Sequence, residues 1–288
     1  MKRKLSLLFL LMMGLIFVAA CDDDDDDYNP NYIPGQEVRD AFKQMFPNAT
    51  QITWGEQYDY AVANFQNNKM ANTAWFSKKG VWYLTQTNIA VSSIPKAITD
   101  AIANNSKYSS LTTAAASTLE RSGMTNAYLI ELTGGKDVTD LYFTPDGYLF
   151  EEESVGSLGT KVTPTPVDQT ITAMVDQNYK GAKIVYIDTE DKKYYITLVQ
   201  DGTYFQYILT NDYKWIQTEY AQSFANLPQE VKDGLKRDGY AFNDAYDTVT
   251  RLIRPQGNEQ VTVYRFNIDN STGSVTVYYS PDGVKLDA

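Results

Sequence analysis

The amino-acid sequence predicts an α+β protein built from two tandem units, each with helices on one face of an antiparallel sheet. Three observations predict this fold. Short amphipathic helical patterns are each followed by several alternating β-segments, without strand-helix-strand alternation. Asp-Gly and Pro-Asp-Gly turns separate these β-segments. Similar segments recur about 133 residues apart, which indicates a duplication.

The first 20 residues carry the pattern of an export signal. A basic start precedes an apolar run over 5–18, which is short for a membrane span, and small residues follow it. Val18-Ala19-Ala20-Cys21 resembles the bacterial lipobox, which implies cleavage before Cys21 and acylation of that cysteine. Acyl chains such as palmitate hold a protein on a membrane, since each buried methylene contributes about 0.8 kcal/mol. The alternative is an ordinary secretory peptide followed by an unrelated cysteine.

Six aspartates over 22–27 predict an extended, solvated tether within residues 21–30. Acidic residues directly after the lipidated cysteine also resemble the surface-export signal of Bacteroidetes lipoproteins. We therefore expect a lipid-anchored protein of the cell envelope, at the outer membrane and exposed on the surface.

Composition excludes several classes of function. The net charge of −11 argues against nucleic acid as a partner, because phosphate binding needs clustered Lys and Arg. The chain has no histidine, and its one cysteine is assigned to the lipid, so histidine- or thiol-dependent catalysis and the usual zinc and haem ligands are missing. No phosphate-binding glycine motif is present. We expect no cofactor, no metal and no catalytic residue, although a hydrolase with paired carboxylates stays formally open.

The duplication sets the domain boundaries. Phe143-Thr144-Pro145-Asp146-Gly147 reappears as Tyr279-Ser280-Pro281-Asp282-Gly283, and Ile94-Pro95 reappears as Leu227-Pro228. A Ser/Gly/Thr/Pro stretch over 154–166 reads as a linker. The sequence therefore predicts a first unit over 31–153 and a second over 167–288.

Four helices are predicted, two in each unit, from apolar residues at helical spacing. Pro47 ends the first helix, and Gly239 caps the fourth. The apolar stripes are Val38, Ala41, Phe42, Met45 and Phe46; Ile94, Ile98, Ala101 and Ile102; Val167, Ile171, Met174 and Val175; and Leu227, Val231 and Leu235. Three or four strands should follow each helix, as in the alternating segments 58–62 and 194–198. The Ser/Thr/Ala run 109–117 is compatible with either strand or loop.

Two segments of the first unit, beside the strand pair between them, have matches in the second unit. The helix start Ile94-Pro95-Lys96-Ala97-Ile98 matches Leu227-Pro228-Gln229-Glu230-Val231, and the closing Leu141–Tyr148 segment matches the segment 277–284. This arrangement resembles the PepSY-like domains of Bacteroidetes envelope proteins, whose fold is related to the β-lactamase inhibitor protein. The resemblance covers nearly all of the mature chain. It implies the α+β fold and carries no catalytic residues.

Aromatic residues are the candidate contact residues. Trp82 and Trp215 occupy equivalent repeat positions and are predicted to pack the shared core. Tyrosines in strands offer apolar area and a hydroxyl where they face away from the helices, which suits protein or glycan contact. The alternative is a solvated sheet whose tyrosines only favour strands. The candidate binding residues are Tyr58, Tyr60, Trp75, Tyr194, Tyr195 and Tyr207.

The leading functional hypothesis is a membrane-anchored, non-enzymatic binding or inhibitory module. It would engage an envelope or extracellular protein through the open faces of its two sheets. The alternative is a lipoprotein that binds a surface glycan or another small ligand.

Overall fold

A computed structural model describes residues 28–134, 137–159, 162–243, 247–270 and 273–287 of the chain. The predicted signal peptide, Cys21 and the aspartate run lie outside these residues. Within them, no helix is long and apolar enough to cross a membrane.

Apart from a two-residue strand that precedes the first helix, each half of the chain has the same order of elements: a helix, four strands, a 3-10 turn, a second helix and four strands. The helices are α1 (Gln36–Met45), α2 (Lys96–Asn104), α3 (Gln169–Asn178) and α4 (Gln229–Arg237). The strands are β1 (Tyr28–Asn29), β2 (Thr50–Gln57), β3 (Tyr60–Asn67), β4 (Met70–Ser77), β5 (Trp82–Asn88), β6 (Thr112–Arg121), β7 (Ala127–Thr133), β8 (Val138–Phe143), β9 (Leu149–Val155), β10 (Lys183–Glu190), β11 (Lys193–Gln200), β12 (Thr203–Thr210), β13 (Trp215–Gln222), β14 (Thr248–Gln256), β15 (Glu259–Asn270), β16 (Gly273–Tyr279) and β17 (Lys285–Leu286).

The strands form two antiparallel sheets in chain order. Strands β1 to β9 make the first sheet, and β10 to β17 make the second. The ambiguous Ser/Thr/Ala run belongs mainly to β6, which begins at Thr112. Tyr28 and Asn29, predicted as the end of the tether, instead pair with Gln57 and Glu56 as β1. The reason is local: Tyr28 lies over Gly55, where any side chain would collide with its ring.

Both helices of each half lie on the same face of their sheet. Paired residues in antiparallel strands share a face. Ala74, which packs under α1, pairs with Thr85, and Thr85 pairs with Glu120 of β6. Ala116 lies on the same face of β6 as Glu120 and packs under α2. In the second sheet, the pairs Phe205–Tyr220, Tyr220–Arg251 and Arg251–Tyr264 connect the α3 and α4 cores in the same way. The predicted α+β fold is confirmed.

The apolar helical stripes fill four cores between helix and sheet. Val38 and Phe42 of α1, for example, pack on Ala61, Ala63 and Phe65. Trp82 and Trp215 lie in the α1 and α3 cores, as predicted. Each donates its indole N–H to a threonine three residues later: Thr85 at 2.9 Å and Thr218 at 3.2 Å. The repeated tryptophans are therefore packing residues.

One turn design occurs four times, between the third and fourth strands after each helix. The hydroxyl of its first residue, Ser or Thr, accepts a hydrogen bond from the N–H of the fifth, at 3.0 to 3.2 Å. The fourth residue has a positive φ, which favours glycine. The four turns cover 77–81, 144–148, 210–214 and 280–284.

Three of these turns place a glycine against a helix N-terminus. A Cβ on Gly147 would lie 2.7 Å from the carbonyl oxygen of Ala97. One on Gly80 would lie 2.8 Å from the carbonyl oxygen of Glu37, and Gly283 meets Glu230 in the same way. In the remaining turn, Tyr213 instead donates its hydroxyl to Asp168, the N-cap of α3, at 2.9 Å. The turn thus fixes each helix on its sheet.

The two sheets meet at a joint made by the end of the first sheet and the leading strands of the second. Tyr148 stacks on Tyr204, with ring centroids 3.8 Å apart. The Tyr204 hydroxyl donates to Asp146 (2.6 Å), and the Tyr186 hydroxyl donates to Glu151 (2.8 Å). The N–H of Thr125 also donates to a carbonyl of β10, at 2.8 Å. Aromatic stacking, phenol–carboxylate bonds and a backbone bond together hold the two sheets against each other.

Removing the Tyr204 hydroxyl should weaken this joint. Burial raises the pKa of Asp146, whereas hydrogen bonds from Thr144 and Tyr204 lower it. The hydrogen bonds outweigh burial, so the pKa lies below its ordinary value. We expect Tyr204→Phe to raise this pKa and to cost about 1 kcal/mol of stability at neutral pH. A depressed carboxyl pKa stabilises the fold above the unfolded pKa, and this stability is lost as pH falls through the folded pKa. The difference from wild type should therefore shrink in acid.

Carboxyl-resolved NMR titration and urea unfolding at several pH values measure both effects. Tyr195→Phe is the matched control, because it removes a phenol hydroxyl that lies outside the joint. Equal stability losses in the two variants at neutral pH would contradict the role given to the Tyr204 hydroxyl.

Candidate functional site: the uncovered sheet faces

Each sheet has one face on which none of the described helices packs, called here the uncovered face. In the first sheet this face carries a buried apolar cluster whose largest members are Trp75, Leu84, Leu119, Leu129 and Tyr142. Tyr60, Phe150 and Val162 pack at its edge. Trp75 is 1% exposed, and its indole N–H has no acceptor among the described residues. This cluster is a second core of the first sheet rather than a free surface.

Acidic side chains continue the uncovered face of the first sheet towards β9. Glu131 is buried and accepts the N–H of Gly159 at 2.6 Å. Tyr142 donates its hydroxyl to Glu153 at 3.3 Å. Burial, with the nearby carboxylates Glu153, Glu151 and Asp140, raises the pKa of Tyr142, so this phenol stays protonated.

The uncovered face of the second sheet carries a polar network around a buried centre. Leu252 is fully buried and pairs with Val263. Beside it, Arg265 binds Glu219 through two hydrogen bonds of 3.1 and 2.8 Å. Bidentate arginine–carboxylate pairs fix both geometry and orientation. Gln217 donates to the same Glu219 carboxylate. The centre of this face is therefore rigid and polar, unlike that of the first sheet.

A second arginine extends the network towards the end of the sheet. Arg254 donates from Nε to Gln217 at 2.7 Å, and its guanidinium lies 5.4 Å from the ring centroid of Tyr278. Arginine on an aromatic ring, held by a third side chain, keeps its remaining N–H groups aimed in one direction. These groups can donate hydrogen bonds to a carboxylate or carbonyl oxygen.

The two uncovered faces differ in polarity between the repeats, whereas the helix-side cores are apolar in both. Tyr142 and Tyr278 are equivalent, and so are Arg121 and Arg254. At the positions of Gln217 and Arg265, however, the first sheet has Leu84 and Leu129. The polar network is thus particular to the second sheet.

The structure places the six predicted contact residues in different environments. Tyr195 and Tyr60 lie on the uncovered faces and are half-buried. Tyr58 lies in the turn before β3 and is 48% exposed. The other three contribute to packing. Trp75 lies in the buried cluster of the first sheet, and Tyr194 and Tyr207 lie in the α3 core.

The sequence reasoning missed Glu219, Arg254, Arg265 and Tyr278. The repeat offered a signal for two of them, because Arg254 and Tyr278 recur at the positions of Arg121 and Tyr142. Within the described ranges, no group of three or more Asp, Glu or Cys side chains converges closely enough to hold a metal ion. What the arrangement offers is a polar face whose two arginines are held by neighbouring side chains.

Two antiparallel sheets with paired helices on one face define an α+β fold. The family model described as "Putative beta-lactamase-inhibitor-like, PepSY-like" matches residues 58–151, 154–210 and 208–286. The chain belongs to this PepSY-like family, which confirms the family resemblance found in the sequence.

Several solved structures from Bacteroides are similar to parts of the chain. A BLIP-like protein of Bacteroides fragilis is 28% identical, covering 46% of this chain and 96% of its own, with a TM-score of 0.43. A structure from Bacteroides eggerthii described as "putative periplasmic proteins" is 22% identical, with coverages of 43% and 91% and a TM-score of 0.41. A DUF2874 family protein of Bacteroides uniformis is 22% identical, with coverages of 44% and 94% and a TM-score of 0.42. No curated protein matches the chain.

Proposed function

We propose that this protein is a non-enzymatic binding or inhibitory module, anchored in the cell envelope through Cys21, that engages another protein through the uncovered face of its second sheet. The observation that carries the proposal is the polar network of the second sheet, where Arg265 is bound to Glu219 and Arg254 lies over the ring of Tyr278. The family description, which compares its members with an inhibitor of an enzyme, supports protein binding in general. The boundaries 31–153 and 167–288 remain our proposed units.

The chemistry of this face suits a protein partner. Arginine and tyrosine are enriched among residues that dominate binding energy, and they act best when neighbouring groups hold them in place. Here the sheet fixes the backbone, Glu219 fixes Arg265, and Gln217 with Tyr278 fixes Arg254. Little side-chain entropy is then lost on binding, which leaves more of the contact energy as affinity.

Capture of a partner should depend on the tyrosines of the uncovered face and not on exposed tyrosines elsewhere. The double variant Tyr195→Ala/Tyr278→Ala removes two rings from this face. We expect it to weaken binding at least about 30-fold, since a central tyrosine is worth about 2 kcal/mol or more. The control is Tyr58→Ala, which removes an exposed tyrosine from a turn outside both faces.

The measurement is a crosslinking pull-down with the soluble fragment 28–288, followed by titration of the captured protein. Circular dichroism of each variant checks that the fold is retained. Unchanged capture by the folded double variant would contradict the proposal. Saturable binding to a polysaccharide panel, with no specific protein captured, would favour the glycan alternative instead.

A further inference from the structure

The helix side of the second sheet carries an arginine between its two helix cores. Arg251 of β14 pairs across the strands with Tyr220 on one side and with Tyr264 on the other. Tyr220 packs against the α3 core, and Tyr264 belongs to the α4 core, so Arg251 lies between the two. Side chains alternate along a strand, which places Arg251 on the side of the sheet opposite Arg254.

The guanidinium of Arg251 is held by aromatic contact alone. It lies 4.4 Å from the centroid of the Tyr220 ring, and that ring stacks on Phe205 with centroids 4.9 Å apart. No hydrogen bond or ion pair joins the Arg251 side chain to any residue that the structure describes, and its Nε–H group is buried. A guanidinium has five N–H donors, and leaving buried donors unpaired costs free energy. Arg251 is therefore an arginine in place without its acceptor.

The two tyrosines beside Arg251 offer further donors. Neither the Tyr220 nor the Tyr264 hydroxyl makes a hydrogen bond within the described ranges, although Tyr264 is only 8% exposed. By contrast, Tyr279, the next residue across the sheet, donates its hydroxyl to Asp238 at 2.8 Å. Burial raises the pKa of Tyr220 more than Arg251 lowers it, so this phenol stays protonated and can donate.

The first unit has no such group of donors at the equivalent positions. Four residues paired across neighbouring strands form what is called here the interhelical row: Phe205, Tyr220, Arg251 and Tyr264. Their counterparts in the first sheet are Asn72, Thr87, Thr118 and Tyr128. There, Thr87 donates its hydroxyl to Asn72 at 2.6 Å. Because the helices of the first unit pack on their sheet with a threonine at this position, the shared fold does not require Arg251.

We propose that the interhelical row binds the carboxylate group of a small organic acid. The guanidinium can donate two N–H groups to the two carboxylate oxygens, and the Tyr220 and Tyr264 hydroxyls are further donors on the neighbouring strands. Arg251 is the only charged side chain of the row, so one negative charge is balanced there, whereas a doubly charged phosphate would keep an unpaired charge. Since Tyr264 is nearly buried, only a small group reaches the row. This site lies on the opposite side of the sheet from the proposed protein contact and does not depend on it.

The test is an NMR titration of the full chain with acetate, hexanoate and benzoate at constant ionic strength. The backbone amide signals of β13 to β15 and the Nε–H signal of Arg251 report binding. Benzamide is the matched control ligand, because it has nearly the shape of benzoate without the charge. We expect a saturable shift with at least one of the acids, and affinity for benzamide at least about tenfold below that for benzoate. Inorganic phosphate, titrated in the same way, should bind more weakly than that acid.

Two substitutions ask which groups hold the carboxylate. Arg251→Thr introduces the residue that the first unit carries at Thr118, so the fold should be retained, and it should weaken binding at least about tenfold. Tyr264→Phe keeps the ring and removes the hydroxyl, and it should weaken binding about fivefold. The matched control is Arg39→Thr, which removes the same charge from an exposed position on α1. The control should bind the acid as the unchanged chain does.

Several results would overturn the carboxylate site. They are the absence of saturable binding by all three acids, equal affinity for benzoate and benzamide, tighter binding of phosphate than of every acid, and unchanged binding by Arg251→Thr. None of them bears on the proposed protein contact, because Tyr195 and Tyr278 lie on the other side of the sheet. Loss of partner capture by the Tyr195→Ala/Tyr278→Ala variant, in turn, says nothing about the interhelical row. The two proposals therefore fail or stand separately.

Discussion

Gly283→Ala is expected to lower the free energy of unfolding by about 3 kcal/mol or more. The substitution adds two costs. A non-glycine residue in the left-handed region costs about 1–2 kcal/mol, and φ at Gly283 is 76°. The new Cβ would also lie 2.6 Å from the carbonyl carbon of Glu230, and overpacking of this kind costs about 1–3 kcal/mol. The turn would have to move away from α4.

Gly181→Ala is the matched control for this prediction. Gly181 also has a positive φ, 85°, but nothing lies within 4 Å of the Cβ position. Gly181→Ala should lower the free energy of unfolding only by the cost of the left-handed backbone conformation, about 1–2 kcal/mol. Urea unfolding of fragment 28–288, followed by circular dichroism, compares the two. Equal losses would show that contact between turn and helix contributes nothing.

Trp75→Ala is expected to cost about 3–5 kcal/mol, the usual range for deleting a large buried aromatic side chain. Trp75 is 1% exposed and packs with Val62, Leu84 and Leu119 on a face that carries no helix. Trp75→Phe should cost much less. It keeps most of the apolar contact and removes an N–H group that has no acceptor among the described residues.

The control for Trp75 is Tyr195→Ala, which deletes a half-buried ring from the corresponding face of the second sheet. It should change the unfolding free energy by about 1 kcal/mol or less, as expected for surface substitutions. Thermal unfolding of Trp75→Ala, Trp75→Phe and Tyr195→Ala compares their stabilities. If Trp75→Ala were as stable as Tyr195→Ala, Trp75 would be a surface contact residue, as first predicted from the sequence.

Local sequence patterns were sufficient for the elements of the fold. The helices follow from the spacing of residues such as Ile98 and Ile102, and Gly239 ends α4 with the positive φ expected of a cap. The repeated Pro-Asp-Gly segments located equivalent turns. Repetition of Trp82 and Trp215 correctly indicated packing, since both lie in helix-side cores.

Which face a strand residue occupies could not be derived so directly. Tyr194 and Tyr195 are neighbours of the same type, yet Tyr194 packs under α3 and Tyr195 lies on the opposite face. Bulges add to the difficulty, because one extra residue moves all later side chains to the other face. Such an irregularity occurs opposite Trp215, between Ile208 and Leu209. The Arg265–Glu219 pair also joins residues 46 positions apart, which no local pattern relates.

The strand order has a consequence for how the chain acquires its structure. Because each sheet follows chain order, every strand pairs only with strands adjacent in the sequence. Loop-closure entropy is therefore small at each step, and proteins rich in local pairings fold faster than β proteins with distant ones. A chain that folds from its amino terminus onward could add one hairpin after another without waiting for its last residues. Folding in this order, it would expose unpaired strand edges only briefly.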